Sequence, residues 1–478
     1  MKNLLLPAAI FISVLAYGNG QAVDSLKYGS FGKVYIYKPA PAPESLVLFV
    51  SGDGGWNQLP ENLSRKLADQ NAMVVGINIS HYLTRKMAEN QKCYYPAGDF
   101  EELSLYLQKK YKFRNYFKPI LMGYSSGATL VYGILAQAPA NTFKGAIAMG
   151  FCPDIATVVP LCTTAALKQH PTKPGGPIWM LEPSDKLTAP FIVINGLDDK
   201  VCNYQNTVSF MKKVNTGEMI GIPKAGHGMS VEKNYYSNLV NAYKKIKNAA
   251  SYPELMAAKK TPAAQAPAQK PESSLPLVVL PASKSSNEPL LFFISGDGGW
   301  TSFDQSVCEK VVARGVPVVG LDAQKYFWQA RTPDETAAEI NKVLRYYLAA
   351  WKKKSFILCG YSFGADIMPY LATRLHPEVS PLLRNMVMMS PDPKGDFEIH
   401  VADMLSFGNS HDTYDVLAEL RKSKGHVHAV CIFGSEEDSQ PARLFEAAGA
   451  SIRILPGQHH YDNDYDAVAR EILRITSQ

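Results

Sequence analysis

The stretch Phe356–Leu375 reads FILCGYSFGADIMPYLATRL, and its local pattern decides the fold. An apolar run is followed by Gly-Tyr-Ser-Phe-Gly and then by a helix-like pattern, which predicts a strand that turns into a helix around Ser362. Gly360 and Gly364 lack a Cβ and therefore permit a sharp turn. A G-x-S-x-G sequence between a strand and a helix is typical of a nucleophile elbow, which exposes the serine at the strand tip.

The same pattern occurs a second time, nearer the N-terminus. The stretch Pro119–Ala136 reads PILMGYSSGATLVYGILA and places Ser125 at the equivalent position. Each elbow is preceded by an apolar run and the sequence SGDGGW, at Ser51–Trp56 and at Ser295–Trp300. A phosphate-binding loop is excluded, because the chain has neither G-x-x-x-x-G-K-[ST] nor G-x-G-x-x-G. The repeated order of motifs predicts a tandem duplication.

The elements around the two elbows also match in order. Apolar runs alternate with helix-like patterns in each half, which predicts a parallel sheet covered on both faces. The fold class is therefore α/β, with two doubly wound domains that resemble α/β hydrolases. The stretch Ala249–Leu275 is rich in Ala, Pro and Lys and has no sustained apolar period, which is typical of a linker. We expect domains at residues 23–249 and 276–478, joined by a linker at residues 250–275.

Composition and the N-terminus indicate an exported protein. The 478 residues carry a net charge of +6 without a concentrated Lys/Arg tract, which argues against nucleic acid and permits contact with an anionic membrane surface. Residues 1–22 contain Lys2, a short apolar region and the small-x-small site Gly20-Gln21-Ala22, which predicts a cleaved signal peptide. That apolar region is too short to span a bilayer.

Seven cysteines are present, in a spacing unlike that of a metal site, and no cofactor is predicted. Disulfides are compatible with export. Cys152 and Cys162 are expected to form a local pair. Cys359 and Cys431 stand inside apolar strand-like runs and are expected to be buried small hydrophobes.

A serine nucleophile needs a base and an acid that orients the base. In this fold the chain order is Ser, then Asp or Glu, then His. In the second half we predict Ser362 as nucleophile, Asp438 as acid and His459 as base. Glu437 is the alternative acid and His460 the alternative base.

The first half has the same order of residues. Ser125, Asp199 and His227 form a predicted further site, with Asp198 as the alternative acid. Whether this half is active stays open at this stage. The alternative is a domain that docks or presents a substrate.

The position of the SGDGGW motifs predicts a role in binding the oxyanion. In such folds the loop after this strand donates one backbone N–H to the oxyanion, and the residue after the nucleophile donates the other. The predicted donors are Asp297 and Phe363 in the second half, and Asp53 and Ser126 in the first. The tryptophans of both motifs are expected to pack beneath their loops.

Three stretches together resemble one family. SGDGGW, GYSFGAD and the C-terminal HHYD are similar to those of the bacterial virulence proteins VirJ and AcvB, most strongly over Pro289–Gln478. The resemblance implies a periplasmic hydrolase that cleaves the aminoacyl ester of lysyl-phosphatidylglycerol, with Ser362 as nucleophile.

A lysyl head group is cationic, so its pocket should offer carboxylates. The acids expected to serve are the following: Asp297, Asp366, Asp392 and Asp396. Two alternatives remain. The enzyme could act on another lipid ester or a peptide, or the chain could be a non-catalytic periplasmic binding or chaperone module that supports secretion.

Overall fold

A computed structural model describes residues 23–87, 92–157, 159–229, 232–250, 275–282, 287–400 and 413–476. The predicted signal peptide and nearly all of the predicted linker lie outside these residues. The described chain forms two large sheets, one on each side of the linker. The predicted fold class, a tandem pair of doubly wound α/β domains, is confirmed.

The first domain is built on an eight-stranded sheet with the order β1-β2-β4-β3-β5-β6-β10-β11. Its first two strands pair antiparallel at one edge, and the strands from β4 to β11 run parallel. The strands are β1 Val23–Tyr28, β2 Gly32–Tyr37, β3 Ser45–Val50, β4 Ala72–Ile77, β5 Ile120–Tyr124, β6 Gly145–Met149, β10 Phe191–Gly196 and β11 Gly217–Ile222. A small antiparallel sheet follows β6 and contains β7 Asp154–Ala156, β8 Gln169–Pro171 and β9 Ile178–Leu181.

The second domain repeats this plan with seven strands in the order β12-β14-β13-β15-β16-β19-β20. Its edge strand β12 is antiparallel and the others are parallel. The strands are β12 Leu277–Leu280, β13 Leu290–Ile294, β14 Val318–Leu321, β15 Phe356–Tyr361, β16 Leu383–Met389, β19 His428–Gly434 and β20 Ser451–Leu455. A two-stranded ribbon of β17 Lys394–Gly395 and β18 Tyr414–Asp415 follows β16.

Helices cover both faces of the sheets, as the apolar character of the central strands requires. In the first domain they are α1 Gln58–Ala68, α2 Ile79–Met87, α3 Pro96–Lys110, α4 Ser126–Gln137, α5 Tyr204–Met211 and α6 Glu232–Lys247. In the second domain they are α7 Ser302–Ala313, α8 Ala323–Tyr326, α9 Pro333–Ala350, α10 Phe363–Ala372, α11 Val416–Ser423, α12 Ser439–Ala447 and α13 Tyr465–Thr476. Each sheet thus separates two apolar cores, one under each helical layer. Within the described ranges, no helix combines the length and apolar character needed to cross a bilayer.

The two domains stack head to tail. In a parallel sheet all strands start at one edge, here called the amino edge, and end at the other, the carboxyl edge. The first domain presents the loops before β5 and β6, at its amino edge. There the carbonyl of Phe113 accepts the indole N–H of Trp328 at 3.1 Å, and Asn141 Nδ2 donates to the carbonyl oxygen of Trp300 at 2.8 Å.

The second domain contributes its carboxyl edge to this interface. Trp300 ends the SGDGGW loop, which follows β13, and Trp328 follows α8. Lys109, at the end of α3, donates to the carbonyl of Trp328 at 2.7 Å and pairs with Glu398 at 2.9 Å. The ring of Tyr116 packs on Trp328. Since active sites of open α/β sheets lie at the carboxyl edge, the first domain borders the site of the second.

Candidate active sites

Ser362 occupies the sharp turn between β15 and α10. Its φ of 51° and ψ of −124° are a strained conformation for a residue with a side chain. A Cβ on Gly360 would lie 2.2 Å from the carbonyl oxygen of Gly364, and one on Gly364 would lie 2.3 Å from that of Ile294. Both positions therefore need glycine, and the turn has the geometry of a nucleophile elbow.

The base predicted for this serine lies against it. His459 follows β20, and its Nε2 is 3.0 Å from Ser362 Oγ. The alternative base, His460, is turned away, with its Nδ1 2.6 Å from the hydroxyl of Tyr361. The structure therefore brings His459, and not His460, to the serine.

The prediction of Asp438 as the acid of this site is wrong, because its carboxylate does not face His459. Asp438 is exposed and caps α12 by accepting the backbone N–H of Gln440, so its carboxylate serves the helix terminus. Its neighbour Glu437 instead places Oε1 3.3 Å from His459 Nδ1. The same oxygen of Glu437 accepts the hydroxyl of Ser390 at 2.7 Å, which fixes the carboxylate. The alternative acid considered from the sequence is the one in place.

The charges around His459 favour its protonated form. The interaction with Glu437 raises the pKa of His459, and the negative charges of Asp392 and Asp297 act in the same direction. Partial burial in turn raises the pKa of Asp297. A histidine that interacts with several carboxylates is suited to carry the positive charge that a base acquires during acyl transfer.

The SGDGGW loops lie directly beside the two elbow serines. A Cβ on Gly296 would lie 3.6 Å from Ser362 Cβ, and one on Gly52 would lie 3.0 Å from Ser125 Cβ. A side chain would be crowded at Gly52, whereas at Gly296 a Cβ would make ordinary contact with the serine. The loops that contain the predicted oxyanion donors Asp297 and Asp53 thus lie beside the two serines.

The tryptophans of the two motifs pack as expected. Trp300 is 1% exposed, and a Cβ on Gly320 of the neighbouring strand β14 would lie 2.1 Å from its indole. Gly76 of β4 makes the same space for Trp56. Each indole thus supports its loop from beneath, which fixes the height of the loop beside the serine.

The first domain contains an equally complete arrangement. Ser125 has φ 54° and ψ −124°, almost the values of Ser362. Its Oγ lies 2.9 Å from His227 Nε2, and His227 Nδ1 lies 2.9 Å from Asp199 Oδ2. Asp198 is exposed and its carboxylate is not part of this chain of contacts. The structure therefore brings together all three residues predicted for the first half.

The loop that carries Asp199 is fixed by backbone hydrogen bonds and a disulfide. Asp199 Oδ1 accepts the N–H groups of Val201 and Cys202 at 2.9 and 2.8 Å. Cys202 is bonded to Cys152, which follows β6. Asp199, Cys202 and His227 are close enough to suggest a metal site. The sulfur of Cys202 is already committed to its disulfide, and both other side chains are hydrogen-bonded.

The expected pairing of Cys152 with Cys162 is wrong. Cys162 is bonded to Cys93 instead, and Cys152 to Cys202. Both bridges join segments more than 45 residues apart in the chain, which local spacing did not indicate. Cys359 and Cys431 are buried and unbonded, as expected.

The four carboxylates predicted for a cationic pocket occupy different places. Asp392 is exposed, and together with Asp297 it acts electrostatically on His459. Asp366 is 6% exposed and accepts the backbone N–H of Asp392 at 2.8 Å, so it supports that loop from within. Asp396 is paired with His400 at 2.9 Å. Of the four, Asp297 and Asp392 are therefore the acids whose charge acts on His459.

A family comparison matches the parts of the chain that carry both elbows. The family model described as bacterial virulence protein (VirJ) matches residues 44–151 and 288–478, together more than half of the chain. The chain belongs to the VirJ family. The second VirJ segment contains Ser362, Glu437 and His459, whereas the first ends before Asp199 and His227 are reached.

Three solved structures that are similar to this VirJ-family chain each match less than half of it. Est1E from Butyrivibrio proteoclasticus is 13% identical, covers 47% of this chain and 98% of its own, and has a TM-score of 0.32. A dienelactone hydrolase from Anabaena variabilis is 16% identical, with coverages of 47% and 95% and a TM-score of 0.34. MenH from S. aureus is 15% identical, with coverages of 43% and 98% and a TM-score of 0.32. No curated protein sequence matches the chain significantly.

Several contacts of the site were not anticipated from the sequence. Ser390 and Tyr461 share a hydrogen bond of 2.7 Å behind Glu437, and Asn141 of the first domain holds the carbonyl of Trp300. Ser390 has a φ of 45°, in the left-handed region. Ser390 is a polar residue directly after β16, which was a sequence signal for its contact with Tyr461 and Glu437. The contact between Asn141 and Trp300 depends on how the two domains stack.

Proposed function

We propose that the second domain is a serine esterase that hydrolyses the aminoacyl ester of lysyl-phosphatidylglycerol at the periplasmic face of the membrane. The observation that carries the proposal is the chain of contacts Ser362–His459–Glu437 beside the SGDGGW loop, within the segment that matches the VirJ family. A nucleophile, a base and an orienting acid in this order are the parts that acyl transfer requires.

The reaction would proceed in two steps. Ser362 Oγ attacks the ester carbonyl carbon while His459 Nε2 takes the hydroxyl proton. The bond to the glycerol oxygen breaks, and phosphatidylglycerol leaves with that proton. Water then attacks the lysyl-enzyme, its proton passes through His459 to Ser362 Oγ, and lysine is released. Backbone N–H groups of Asp297 and Phe363 would stabilise the oxyanion in both steps.

The cationic acyl group of the substrate agrees with the charges of the site. A lysyl ester carries two ammonium groups, and Asp297 and Asp392 place negative charge around His459. Complementary charges of this kind favour one substrate over its uncharged analogues. The lipid moiety would remain in the membrane, so the protein is expected to contact its surface peripherally.

The test is release of lysine from lysyl-phosphatidylglycerol vesicles by the purified protein, with Ser362→Ala as the inactive variant. Loss of a nucleophilic serine costs on the order of 10⁶ in kcat. Lysine release that depends on Ser362 supports the proposal. Release that Ser362→Ala does not abolish contradicts it.

The choice of substrate is tested separately. We expect Asp392→Asn to reduce the preference for lysyl- over alanyl-phosphatidylglycerol, while Asp396→Asn, whose carboxylate is paired with His400, keeps it. A fluorophosphonate that labels Ser362 in a protein without lysine release would indicate another ester. A protein that is unlabelled at Ser362, and fully functional in secretion as Ser362→Ala, would indicate a binding or chaperone module.

A further inference from the structure

We propose that the first domain is a second serine hydrolase, which acts on carboxylic esters with an uncharged acyl group and works independently of Ser362. The proposal rests on the arrangement around Ser125 and stands whether or not the second domain cleaves lysyl-phosphatidylglycerol. Four features of the described residues support it, namely the geometry of the three side chains, the fixing of the acid, the position of the site and its charge.

The geometry around Ser125 meets the requirements for acyl transfer. The two contacts of His227, with Ser125 Oγ and Asp199 Oδ2, are both 2.9 Å. The corresponding distances of His459 are 3.0 and 3.3 Å. The first arrangement is therefore at least as close as that of the second domain, and both lie within the range for a nucleophile and its base.

The acid of the first domain is held more firmly than that of the second. The side chain of Asp199 is completely buried, while that of Glu437 is 14% exposed. Two backbone N–H groups orient one oxygen of Asp199, and the other faces His227. A buried carboxylate with this set of partners stabilises the imidazolium formed during catalysis and holds the ring in one orientation.

The site of the first domain lies away from the second domain. Ser125 stands at the carboxyl edge of its sheet, where β5 ends. Phe113 and Asn141, which bond to the second domain, precede β5 and β6 at the amino edge. The Ser125 site and the domain interface are therefore at opposite edges of the first domain, and a substrate can reach Ser125 without entering that interface.

The charges of the two sites differ at equivalent positions. Met149 and Met389 end equivalent strands, and their carbonyls accept the N–H of Ser125 and Ser362 respectively. Three residues further on, the first domain has Cys152 and the second has Asp392.

A second position differs in the same way. Four residues after the nucleophile, Thr129 stands in place of Asp366, and its hydroxyl donates to the carbonyl of Cys152. A disulfide and a threonine thus replace two acids.

One carboxylate is present at the same position in both sites, and it is hydrogen-bonded in each. Asp53 corresponds to Asp297, and its Oδ1 accepts the hydroxyl of Ser126 at 2.7 Å. The loop around Asp199 also exposes two apolar side chains, Leu197 at 45% and Val201 at 69%. At the positions of Asp297, Asp366 and Asp392 the first site has one carboxylate where the second has three. Its acid also lies in a loop with exposed apolar side chains, and both differences favour an uncharged, apolar acyl group over a cationic one.

The reaction balances as an ester hydrolysis. Ser125 Oγ bonds to the acyl carbon and its proton passes to His227 Nε2, which delivers it to the departing alcohol. Water then attacks the acyl-enzyme and gives one proton through His227 to Ser125 Oγ. The net change converts an ester and water into a carboxylic acid and an alcohol, and needs no further reactant.

The first experiment locates the reactive serines in the wild-type protein. The protein is treated with a fluorophosphonate, digested, and analysed by mass spectrometry. We expect adducts on the peptide that contains Ser125. Labelling confined to the Ser362 peptide, or no labelling at all, would overturn the proposal.

Variants then separate the two sites. In Ser362→Ala the remaining label should lie on Ser125 and should disappear when Asp199→Asn is added. The matched change Asp198→Asn, at the exposed neighbouring carboxylate, should leave it in place. Equal labelling in both double variants would show that Asp199 does not activate the serine, contrary to the proposal.

The substrate class is tested with two esters that differ in one charge. These are the 4-nitrophenyl esters of Nα-benzyloxycarbonyl-lysine and Nα-benzyloxycarbonyl-norleucine, whose side chains differ by the ammonium group. Ser362→Ala should cleave the norleucine ester at least about 100-fold faster than Ser125→Ala/Ser362→Ala does, the lower end of what removing a catalytic group costs. It should also prefer norleucine to lysine. Preference for lysine would refute the proposed substrate class.

Discussion

At the residue scale, the two serines are alike and their acids are not. Ser125 and Ser362 share backbone angles within a few degrees, because the same G-x-S-x-G turn forces both. Asp199 and Glu437 are equivalent in position, each three residues after the glycine that ends its strand. Glutamate is longer by one methylene, and Oε1 of Glu437 accepts a hydrogen bond from Ser390 while it also faces His459. Both sites thus bring a carboxylate to Nδ1 of the histidine by different side chains.

The two neighbouring acids of the second domain provide a direct test. We expect Glu437→Gln to reduce kcat for ester hydrolysis by up to about 10⁴, because loss of the orienting carboxylate has this effect in related arrangements. Asp438→Asn should retain nearly full activity, since asparagine also caps a helix. The measurement is the steady-state rate of both purified variants. Similar losses in the two would contradict the assignment of Glu437.

The pH dependence of the second site follows from the pKa of His459. The base must be neutral to accept a proton, and the carboxylates around it raise its pKa above the ordinary value of about 6.5. Activity should therefore decline on acidification from a higher pH than an unperturbed histidine would give. In Glu437→Gln the acidic limb of kcat/KM should move to lower pH. An unchanged limb would exclude His459 as the titrating base.

At the element scale, each domain fixes its site by a different means. The first domain ties the loop after β10 to the loop after β6 through Cys152–Cys202. In the described part of the second domain the cysteines Cys308, Cys359 and Cys431 are all buried and unbonded. There Ser390, Tyr461 and Glu437 are linked by hydrogen bonds instead.

This difference predicts that loss of the Cys152–Cys202 disulfide affects the Ser125 site and not the Ser362 site. Cys152→Ser/Cys202→Ser should lower the rate of fluorophosphonate labelling at Ser125 by about tenfold or more, because Asp199 lies in the released loop and an acid out of place costs up to about 10⁴. Labelling at Ser362 should not change. The control is Cys93→Ser/Cys162→Ser, which removes the other bridge. Unchanged labelling at Ser125 would show that the disulfide is not needed to hold the acid.

The packing of Trp300 on β14 leads to a prediction about stability. Gly320→Ala should lower the free energy of unfolding by about 1–3 kcal/mol, the usual cost of overpacking, because the new methyl would meet the buried indole. Gly298→Ala, whose Cβ would meet nothing closer than 3.8 Å, should change it by less than about 0.5 kcal/mol. Chemical denaturation measures both. Equal stability of the two variants would contradict a tightly packed Trp300.

At the scale of the whole molecule, head-to-tail stacking makes the two halves unequal. The amino edge of the first domain covers part of the carboxyl edge of the second, while the carboxyl edge of the first takes no part in the described hydrogen bonds between domains. The second site is therefore built with help from the first domain.

The interface can be tested with two adjacent lysines. Lys109→Met removes the hydrogen bond to Trp328 and the ion pair with Glu398, and should lower the free energy of unfolding by about 1–2 kcal/mol. We also expect it to slow hydrolysis at Ser362 several-fold without affecting labelling at Ser125. Lys110→Met, at the next and exposed position, is the matched control. Identical behaviour of both variants would show that this contact does not support the second site.

The sequence by itself determined the duplication, the order of strands and helices, and the position of both elbow serines. These features are encoded locally: the alternation of apolar runs sets the elements, and a G-x-S-x-G turn permits few backbone conformations. His227 and His459 were also found from the sequence, because the fold places the last loop of each sheet beside its elbow. Ser125, Asp199 and His227 were all brought together as the order of residues predicted.

Only the tertiary structure decided between Glu437 and Asp438, paired Cys93 with Cys162 and Cys152 with Cys202, and placed the first domain on the second. Adjacent side chains in one loop point in different directions, and which of them meets the histidine depends on the path of that loop. The disulfides and the domain contacts join residues more than 45 positions apart, so no local pattern records them. These choices are set by packing between distant segments, which is a property of the folded molecule as a whole.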